Sequence, residues 1–197
     1  MPARPGLRPD PAASDSARVF FALWPDEPIR ARLAREAELQ HATYGGRRMR
    51  PDGLHVTLLF IGKLARARLP ALQAAAAGLD LPGFTVHFEH VACWHPKHIV
   101  CLGTGDTPPA MLALVAGLEQ AASALAIPFD RRDYTAHVTL LRNARCGEVV
   151  RPRELSPGAQ VLAEPIAWLA RDFVLLESSL EAQGARYRVI ERFPLGR

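Results

Sequence analysis

The chain has 197 residues, of which 49% are apolar and 22% charged, so it is long enough for one substantial domain or two small lobes that share a core. Its formal net charge of +4 is carried almost wholly by arginine, which permits an anionic or nucleic-acid partner without requiring one. No apolar run reaches the roughly 18 to 20 residues of a membrane span, and the odd number of cysteines, without framework spacing, argues against a disulfide-stapled secreted fold.

Residues 1–17 contain four prolines and charges of both signs but no apolar segment for export. We predict that they form a disordered tail, that residues 18–197 form a single domain, and that the protein is cytoplasmic. The first ordered element is predicted to be a buried strand from Val19 to Trp24. A helix follows, with acidic residues and a proline at its start near Asp26, and it is expected to reach about His41.

A basic stretch from Arg47 to Arg50 precedes a predicted turn at Pro51 to Gly53. We interpret it as a solvated surface hairpin, and direct contact with substrate is the alternative. Hydrophobic periodicity predicts the remaining elements. The predicted strands cover residues 54–62, 84–91, 99–103, 136–142, 165–170, 173–178 and 186–193, and the predicted helices cover residues 65–78 and 110–126.

Four potential zinc ligands lie close together in the sequence: Cys93, His95, His98 and Cys101. Their spacing matches no standard zinc finger, and Cys101 lies in the middle of a predicted strand. We therefore interpret the segment as a surface hairpin with incidental histidines, and we predict no metal site. The glycine-rich loops that hold phosphates in nucleotide and dinucleotide sites are also missing, so no cofactor is predicted.

One pentapeptide, His-Val-Thr-Leu-Leu, occurs twice, beginning at His55 and at His137, a separation of 137 − 55 = 82 residues. Residues two apart in a β-strand point to the same face, so Thr57 accompanies the first histidine and Thr139 the second. With the paired strands and the helices between them, the repeat predicts an α+β, bilobal duplicated fold. Two antiparallel sheets would surround a central cleft, with the helices on the outside and the two lobes pseudo-symmetric.

Two such strands facing each other would bring two imidazoles to a common point. One histidine can accept a proton while the other donates one, because the unperturbed pKa of histidine lies close to neutrality. This suits metal-free in-line displacement at phosphorus, in which the threonine hydroxyls hold phosphoryl oxygens. A single His-x-Thr in an apolar strand is more often a core or surface feature, but two identical copies favour catalysis.

Arg142 lies five residues after His137, and an odd offset places it on the opposite face of a regular strand. It reaches the same site only if the strand ends or bulges nearby, which the turn-like Asn143 supports. Its role there would be a charge-assisted hydrogen bond to the phosphate in the crowded transition state.

The sequence resembles the 2H phosphoesterase superfamily, named for two His-x-Thr/Ser-x motifs, here His55-Val56-Thr57-Leu58 and His137-Val138-Thr139-Leu140. Within it, the chain is similar to the bacterial and archaeal RNA 2′,3′-cyclic phosphodiesterases, also called 2′-5′ RNA ligases. The resemblance covers about residues 18–195. Further typical stretches are Arg18 to Leu23, Leu54 to Gly62, Tyr134 to Arg142 and Gly184 to Tyr187.

The resemblance implies a bilobal fold with both motifs in a central cleft, and metal-free hydrolysis of RNA 2′,3′-cyclic phosphate ends to 2′-phosphomonoesters. His55 would donate a proton to the leaving 3′ oxygen, and His137 would accept the proton of water. Thr57, Thr139 and Arg142 would bind the phosphate. The substrates would be RNA ends, such as those of tRNA fragments, or small cyclic nucleotides, and the protein would act as a monomer without a membrane.

Other functions stay open on the sequence alone. The same site can join a cyclic phosphate to a 5′-hydroxyl without ATP, or act on a small cyclic nucleotide. A non-catalytic RNA-binding module, in which the histidines merely pack, is the alternative from another class, and intact histidines in both motifs speak against it. Base stacking is an option for Phe21, Tyr44 or Tyr134, each of which also suits the core or the rim.

Overall fold

The computed structural model describes residues 15–94, 97–146, 160–181 and 184–196. These residues form nine β-strands, three α-helices and two short 3-10 turns, Pro51–Gly53 and Arg66–Arg68. In chain order the elements are β1 (Ser16–Leu23), α1 (Glu27–Tyr44), β2 (Arg47–Arg48), β3 (Val56–Ala65), α2 (Leu69–Ala77), β4 (Phe84–Trp94), β5 (Ile99–Gly103), α3 (Pro109–Ala124), β6 (His137–Arg142), β7 (Gln160–Ala170), β8 (Asp172–Glu181) and β9 (Gly184–Pro194).

The first strand begins earlier than predicted. Ser16 and Ala17, which were predicted to lie in a disordered tail, belong to β1. They pair with Ala65 and Leu64 at the far end of β3, so pairing extends both strands beyond their most apolar stretches. The remainder of the predicted tail, residues 1–14, lies outside the described residues.

The predicted first helix is confirmed, with an end three residues later than expected. The Asp26 carboxylate accepts a hydrogen bond from the Ile29 N–H at 3.1 Å, which caps the start of α1, and Gly45 at φ 60° follows its last residue. The second helix begins at Leu69 rather than at residue 65. Pairing of β3 with β1 continues through Ala65 and overrides the helical propensity of the alanine-rich stretch.

Hydrophobic periodicity predicts a buried stripe on the third helix at Leu112, Val115, Leu118, Ala122 and Leu125, and the buried side of α3 differs slightly from it. Val115, Leu118 and Ala122 are buried as expected, but Leu112 is 46% exposed and Met111 is buried instead. The start of this helix is apolar on nearly all sides, so periodicity alone does not choose between adjacent stripes. None of the helices in the described part of the chain is long and apolar enough to cross a membrane.

All strands pair antiparallel in one sheet with the order β7-β4-β5-β6-β3-β1-β8-β9, and β2 also pairs with β6. The α+β class with antiparallel strands is therefore confirmed. Instead of two separate sheets, two four-stranded halves are joined at the centre by one bridge, between Val56 and Val138. We call β3, β1, β8 and β9 the His55 half, and β6, β5, β4 and β7 the His137 half. In each half, a strand and a helix precede the motif strand: β1-α1-β3 and β5-α3-β6.

The two faces of the sheet have different surroundings. Val19, Phe21 and Leu23 of β1 belong to the main core, together with buried residues of all three helices. Phe20 and Ala22 alternate with them along the strand and belong to a separate small cluster on the other face. We call this second face the cleft face, and it is the face on which the functional side chains converge.

Candidate active site

The bridge between the two motif valines brings the two pentapeptides side by side. Continuing its register by one residue in each direction places His55 opposite Thr139, and Thr57 opposite His137. Both valines are fully buried in the main core, so the flanking side chains point to the cleft face. All four are partly exposed there. The structure thus brings together the four motif residues that the sequence singled out.

The two histidine rings are held by equivalent hydrogen bonds. The Nδ1 atom of His55 lies 2.8 Å from the carbonyl oxygen of Gly53, and the Nδ1 atom of His137 lies 2.8 Å from the carbonyl oxygen of Thr135. A carbonyl oxygen can only accept a hydrogen bond, so each neutral ring carries its proton on Nδ1 and donates it to the residue two positions earlier. The Nε2 atom of each ring therefore remains as a proton acceptor.

Burial lowers the pKa of His55 from 6.5 to about 4. The hydrogen bond to the Gly53 carbonyl opposes this effect by stabilising the imidazolium, whereas the charges of His137 and Arg142 add to the lowering. An imidazole with this pKa is neutral near pH 7 in the free protein.

Burial is also the largest cause of a lowered pKa at His137. Its backbone hydrogen bond opposes the shift, and the cations Arg132, Lys97 and Arg142 add to it. Arg142 is common to both histidines, so its charge lies close enough to influence each ring.

A β-bulge turns Arg142 to the cleft face. Cys101 of β5 lies opposite Thr139, and Ile99 lies opposite Arg142. Two steps along β5 therefore match three steps along β6, and Leu140 is the extra residue. Because Ile99 and Cys101 share a face of β5, Arg142 shares a face with Thr139. The odd offset of this arginine is thus compatible with the same site.

The same bulge occurs in the first motif strand. Ala22 of β1 lies opposite Thr57, and Phe20 lies opposite Phe60, so Leu58 is the extra residue there. Leu58 is the fourth residue of its pentapeptide, as the bulged leucine of β6 is in the second copy. The repeat separation, 142 − 60 = 82, makes Phe60 the counterpart of the arginine.

The chain is similar to known proteins over most of its length. Residues 23–101 match the family described as LigT like Phosphoesterase. The RNA 2′,3′-cyclic phosphodiesterase of Escherichia coli strain K12 is 27% identical over 92% of this chain and 98% of its own length. The protein of the same name from Thermus thermophilus is 26% identical over 90% of each chain. The crystal structure of E. coli LigT in apo form has a TM-score of 0.77 at 26% identity, covering 93% of this chain and all of that one.

Residues 23–101 thus match a LigT-like phosphoesterase domain, and the relatives extend the similarity to nearly the whole chain. The family resemblance inferred from the two motifs is therefore confirmed, and with it the assignment to an enzyme family. The family match includes the first motif and ends before the second, whereas the relatives span nearly the whole chain.

Aromatic rings surround the first histidine of the LigT-like domain. The centroids of Phe20 and Tyr187 lie 5.1 and 5.0 Å from that of His55. Trp24 stacks on the same ring at 6.0 Å, with an angle of 23° between the planes. The second motif histidine has a single close aromatic neighbour among the described residues, Trp94, at 4.4 Å.

These rings were not predicted from the sequence to belong to the site. Of the residues considered for stacking, Phe21 lies in the main core, and Tyr44 and Tyr134 pack against it, in agreement with the core interpretation. Phe20 belongs to the small cluster on the cleft face, and Trp24, the residue after β1, packs against it. Both faces of that strand are apolar, so alternation along the sequence does not reveal which face borders the cleft.

The basic stretch pairs with β6 instead of forming the predicted surface hairpin. Arg47 lies opposite Arg142, while Arg48 lies opposite Leu141 and forms an ion pair with Glu38 at 3.4 Å. Both β2 arginines are exposed. This pairing is possible because β3 pairs with β6 only at the valine bridge and leaves the rest of that edge of β6 free for β2.

One disulfide, between Cys93 and Cys146, was not predicted from the odd cysteine count. It joins the end of β4 to the segment after β6, with the Cα atoms 5.8 Å apart. Cys101 is buried, and its Sγ donates to the Ala92 carbonyl oxygen.

Of the four potential zinc ligands near the end of β4, His95 lies outside the described residues. Within the described ranges, no group of three or more histidine, cysteine or acidic side chains is arranged to hold a metal ion.

Proposed function

We propose that this domain hydrolyses the 2′,3′-cyclic phosphate at the end of an RNA to a 2′-phosphomonoester. The observation that carries the proposal is the pair of histidines on one face of the sheet, each fixed by its Nδ1 and each presenting Nε2. Two such groups beside Arg142 suit proton transfer to and from the oxygens of a phosphodiester. The names of the E. coli and T. thermophilus relatives support the same substrate class.

Each proton in the proposed reaction has a donor and an acceptor. His137 takes a proton from water through Nε2 while the water oxygen forms its bond to phosphorus. The bond between phosphorus and the ribose 3′ oxygen breaks, and His55 donates a proton from Nε2 to that oxygen. The products are a 2′-phosphomonoester and a 3′-hydroxyl, after which solvent restores the original protonation of both rings. The direction of transfer follows the roles implied by the family.

The low pKa of His55 links protonation to substrate binding. The ring is neutral in the free protein near pH 7, because burial disfavours its charged form. An anionic cyclic phosphate beside the ring favours the imidazolium, so substrate binding and proton uptake reinforce each other. As the bond to phosphorus breaks, negative charge develops on the 3′ oxygen and raises its basicity, which promotes transfer of the proton from the imidazolium to that oxygen.

The remaining motif residues bind the phosphate in this proposal. Thr57 and Thr139 flank the valine bridge on the cleft face and can each donate a hydroxyl hydrogen bond to a phosphoryl oxygen. Arg142 is exposed on the same face, where its guanidinium can form charge-assisted hydrogen bonds. Those bonds strengthen as charge accumulates on the phosphoryl oxygens in the transition state.

The test uses an RNA oligonucleotide that ends in a 2′,3′-cyclic phosphate, incubated with the protein in EDTA. Wild type is expected to remove the cyclic end, and His55→Ala and His137→Ala are expected to leave it intact. His87→Ala replaces an exposed histidine of β4 and serves as the matched control. Equal activity in wild type and both motif variants, or complete dependence on an added metal, would refute the proposal.

The product identifies the leaving oxygen. Chromatography against authentic 2′- and 3′-phosphorylated oligonucleotides is expected to show the 2′-phosphate. A 3′-phosphate product would retain the two-histidine site but contradict the assignment of His55 to the 3′ oxygen. Addition of an RNA with a 5′-hydroxyl to the same reaction detects the reverse, joining activity.

A further inference from the structure

Arg47 lies beside Arg142 and reaches the other half of the sheet. The two arginines are opposite each other in the β2–β6 pair, so their side chains leave the sheet on the same face. The bulge in β6 makes this the cleft face. A Cβ atom on Gly184, the first residue of β9, would lie 2.8 Å from Nη1 of Arg47. The guanidinium of Arg47 therefore lies at the mouth of the cleft, between the two halves.

A third arginine approaches from the His55 half. Tyr187 of β9 lies opposite Ser178 of β8, and continuing the β1–β8 register by one residue places Arg18 opposite the same serine. Arg18 and Tyr187 thus lie in one row across three strands. The guanidinium carbon of Arg18 is 4.9 Å from the centroid of Phe60, which packs against the cluster on the cleft face.

Tyr187 lies at the centre of this group. Its ring is edge-on to His55, with 5.0 Å between the centroids. Burial raises the pKa of its phenol, while the positive charges of Arg142, Arg18 and Arg47 oppose that rise. The phenol can therefore donate a hydrogen bond to an anion at a place where three guanidinium groups contribute positive potential.

The charge of these arginines is not neutralised locally. Arg18, Arg47 and Arg142 have no carboxylate within ion-pair distance among the residues that the structure describes. A concentration of cations without acidic partners attracts a polyanion and is stabilised when phosphates bind. By contrast, several other arginines form ion pairs with glutamate or aspartate, among them Arg48, Arg66, Arg188 and Arg192.

We propose that Arg18, Arg47 and Tyr187 form a second anion site, which binds the phosphodiester that precedes the terminal nucleotide of the RNA. Arg142 serves the cyclic phosphate itself. The inference rests on the proposed function, because it takes the cyclic phosphate to lie between the two histidines. A cyclic mononucleotide has no second phosphate to place in this site, so the domain selects the end of an RNA chain.

The test compares a dinucleotide that ends in a 2′,3′-cyclic phosphate with adenosine 2′,3′-cyclic phosphate. Wild type is expected to have a higher kcat/KM for the dinucleotide. Arg47→Gln should lower the ratio of the two kcat/KM values about tenfold, and Arg18→Gln about threefold, through loss of charge-assisted hydrogen bonds. Arg48→Gln is the matched control, since Arg48 is on the same strand but opposite Leu141, and it should keep the wild-type ratio.

A neutral internal linkage provides an independent measurement. Replacing the internal phosphate of the dinucleotide by a methylphosphonate should abolish most of the wild-type preference. The kcat/KM for the natural dinucleotide should also fall more steeply with salt concentration than the kcat/KM for the mononucleotide. On a log–log plot the two slopes should differ by about 0.7, which corresponds to one additional phosphate contact.

The outcomes separate this inference from the proposed function. An unchanged ratio in Arg47→Gln, equal loss on both substrates, or full preference for the methylphosphonate would each exclude the second anion site. Hydrolysis of both substrates by wild type would leave the proposed function intact in those cases. Failure of wild type to hydrolyse either substrate would remove the proposed function and the second site together.

Discussion

The two halves of the sheet share a framework but surround their histidines differently. In both halves, the motif valine lies in the core, and the carbonyl oxygen two residues before the histidine accepts a hydrogen bond from its Nδ1. The fourth residue of the pentapeptide forms a bulge in each half. Three aromatic rings approach His55, whereas Trp94 and several cations lie near the second histidine. The repeat therefore supplies two equivalent acid–base groups, and the flanking strands distinguish their environments.

Two pairs of counterpart positions show where the halves diverge. Phe60 occupies the position that Arg142 has in the other half, so equivalent bulges present an apolar ring on one side and a cation on the other. Continuing the β1–β3 register places Trp24 opposite His55, whereas Gly103 lies opposite His137, where a Cβ would clash with Nε2 of His90. Different residues at bulged or tightly packed positions thus give two copies of one strand different chemical surroundings.

Removal of either motif histidine is expected to have the largest effect on activity. His55→Ala and His137→Ala should each lower kcat for a cyclic-ended RNA dinucleotide by about 10²- to 10⁴-fold, as expected for loss of a general acid or base. The two roles separate with a nitrophenyl phosphodiester, whose leaving group departs without a proton. His55→Ala should recover much of its activity on that substrate, and His137→Ala should remain slow.

The double variant and an exposed histidine complete this measurement. The double variant should lose less than the product of the two single losses, because the histidines act together. His87→Ala should match wild type on both substrates. If both single variants recover equally on the nitrophenyl substrate, the two halves do not divide the acid and base roles.

The sequence predicted the features of the site that depend on local geometry. A strand has a side-chain period of two, so the alignment of His55 with Thr57 and of His137 with Thr139 follows from the spacing alone. Arg142 shows the limit of that reasoning. Its face depends on one extra residue in β6, and only the register against β5 reveals the bulge. The sequence indicates that Arg142 reaches the site only if β6 ends or bulges nearby, but it does not determine whether this strand does so.

Features that depend on distant parts of the chain were not predicted. Tyr187 reaches the first histidine from the closing strands, and the bond between Cys93 and Cys146 requires the turn after β6 to approach the end of β4. The continuity of the sheet depends on one valine bridge, which separate strand predictions do not contain. The catalytic roles of the motif residues are still predictions, and the histidine and arginine substitutions test them.

Substitution of Arg142 is expected to have the second largest effect. Arg142→Ala should lower kcat/KM about 10²- to 10³-fold, because a charge-assisted contact to the developing phosphoryl charge is lost. Arg142→Lys should restore part of this activity, since the charge returns without the planar fork. Phe60→Leu, at the counterpart position, should change kcat/KM less than about threefold. Similar losses in Phe60→Leu and Arg142→Ala would mean that the two positions do not differ in function.

Reduction of the disulfide is expected to affect stability more than chemistry. Cys93 and Cys146 are 53 residues apart, and a cross-link of this size is expected to stabilise the fold by about 2–4 kcal/mol. The described residues of the His55 half contain no corresponding bond. Urea denaturation with and without dithiothreitol should show the loss in wild type and no dependence on reductant in the Cys93→Ser/Cys146→Ser double variant. An unchanged wild-type midpoint in reductant would contradict a stabilising role.

Changing the aromatic environment of His55 is expected to have the smallest effect, which is a shift in the pKa of this histidine. Burial holds this pKa near 4 instead of 6.5, so opening one side of the ring to water should raise it. Trp24→Leu is expected to raise the value by about half a unit to one unit, measured by NMR titration of the ring protons, with less than tenfold loss of kcat. Trp94→Leu, which removes the ring beside the second motif histidine, should raise the pKa of His137 and leave that of His55 nearly unchanged.

The lowered pKa of His55 also determines how the free energy of unfolding changes with pH. The folded state favours the neutral form of His55. The contribution of this histidine to the free energy of unfolding is therefore fully present above pH 6.5 and is lost as the pH falls toward 4. Trp24→Leu brings the folded pKa closer to 6.5, and the free energy of unfolding should therefore decline less steeply with acid than in wild type. A steeper decline, or equal pKa changes at both histidines in each tryptophan variant, would show that the aromatic rings do not set the difference between the halves.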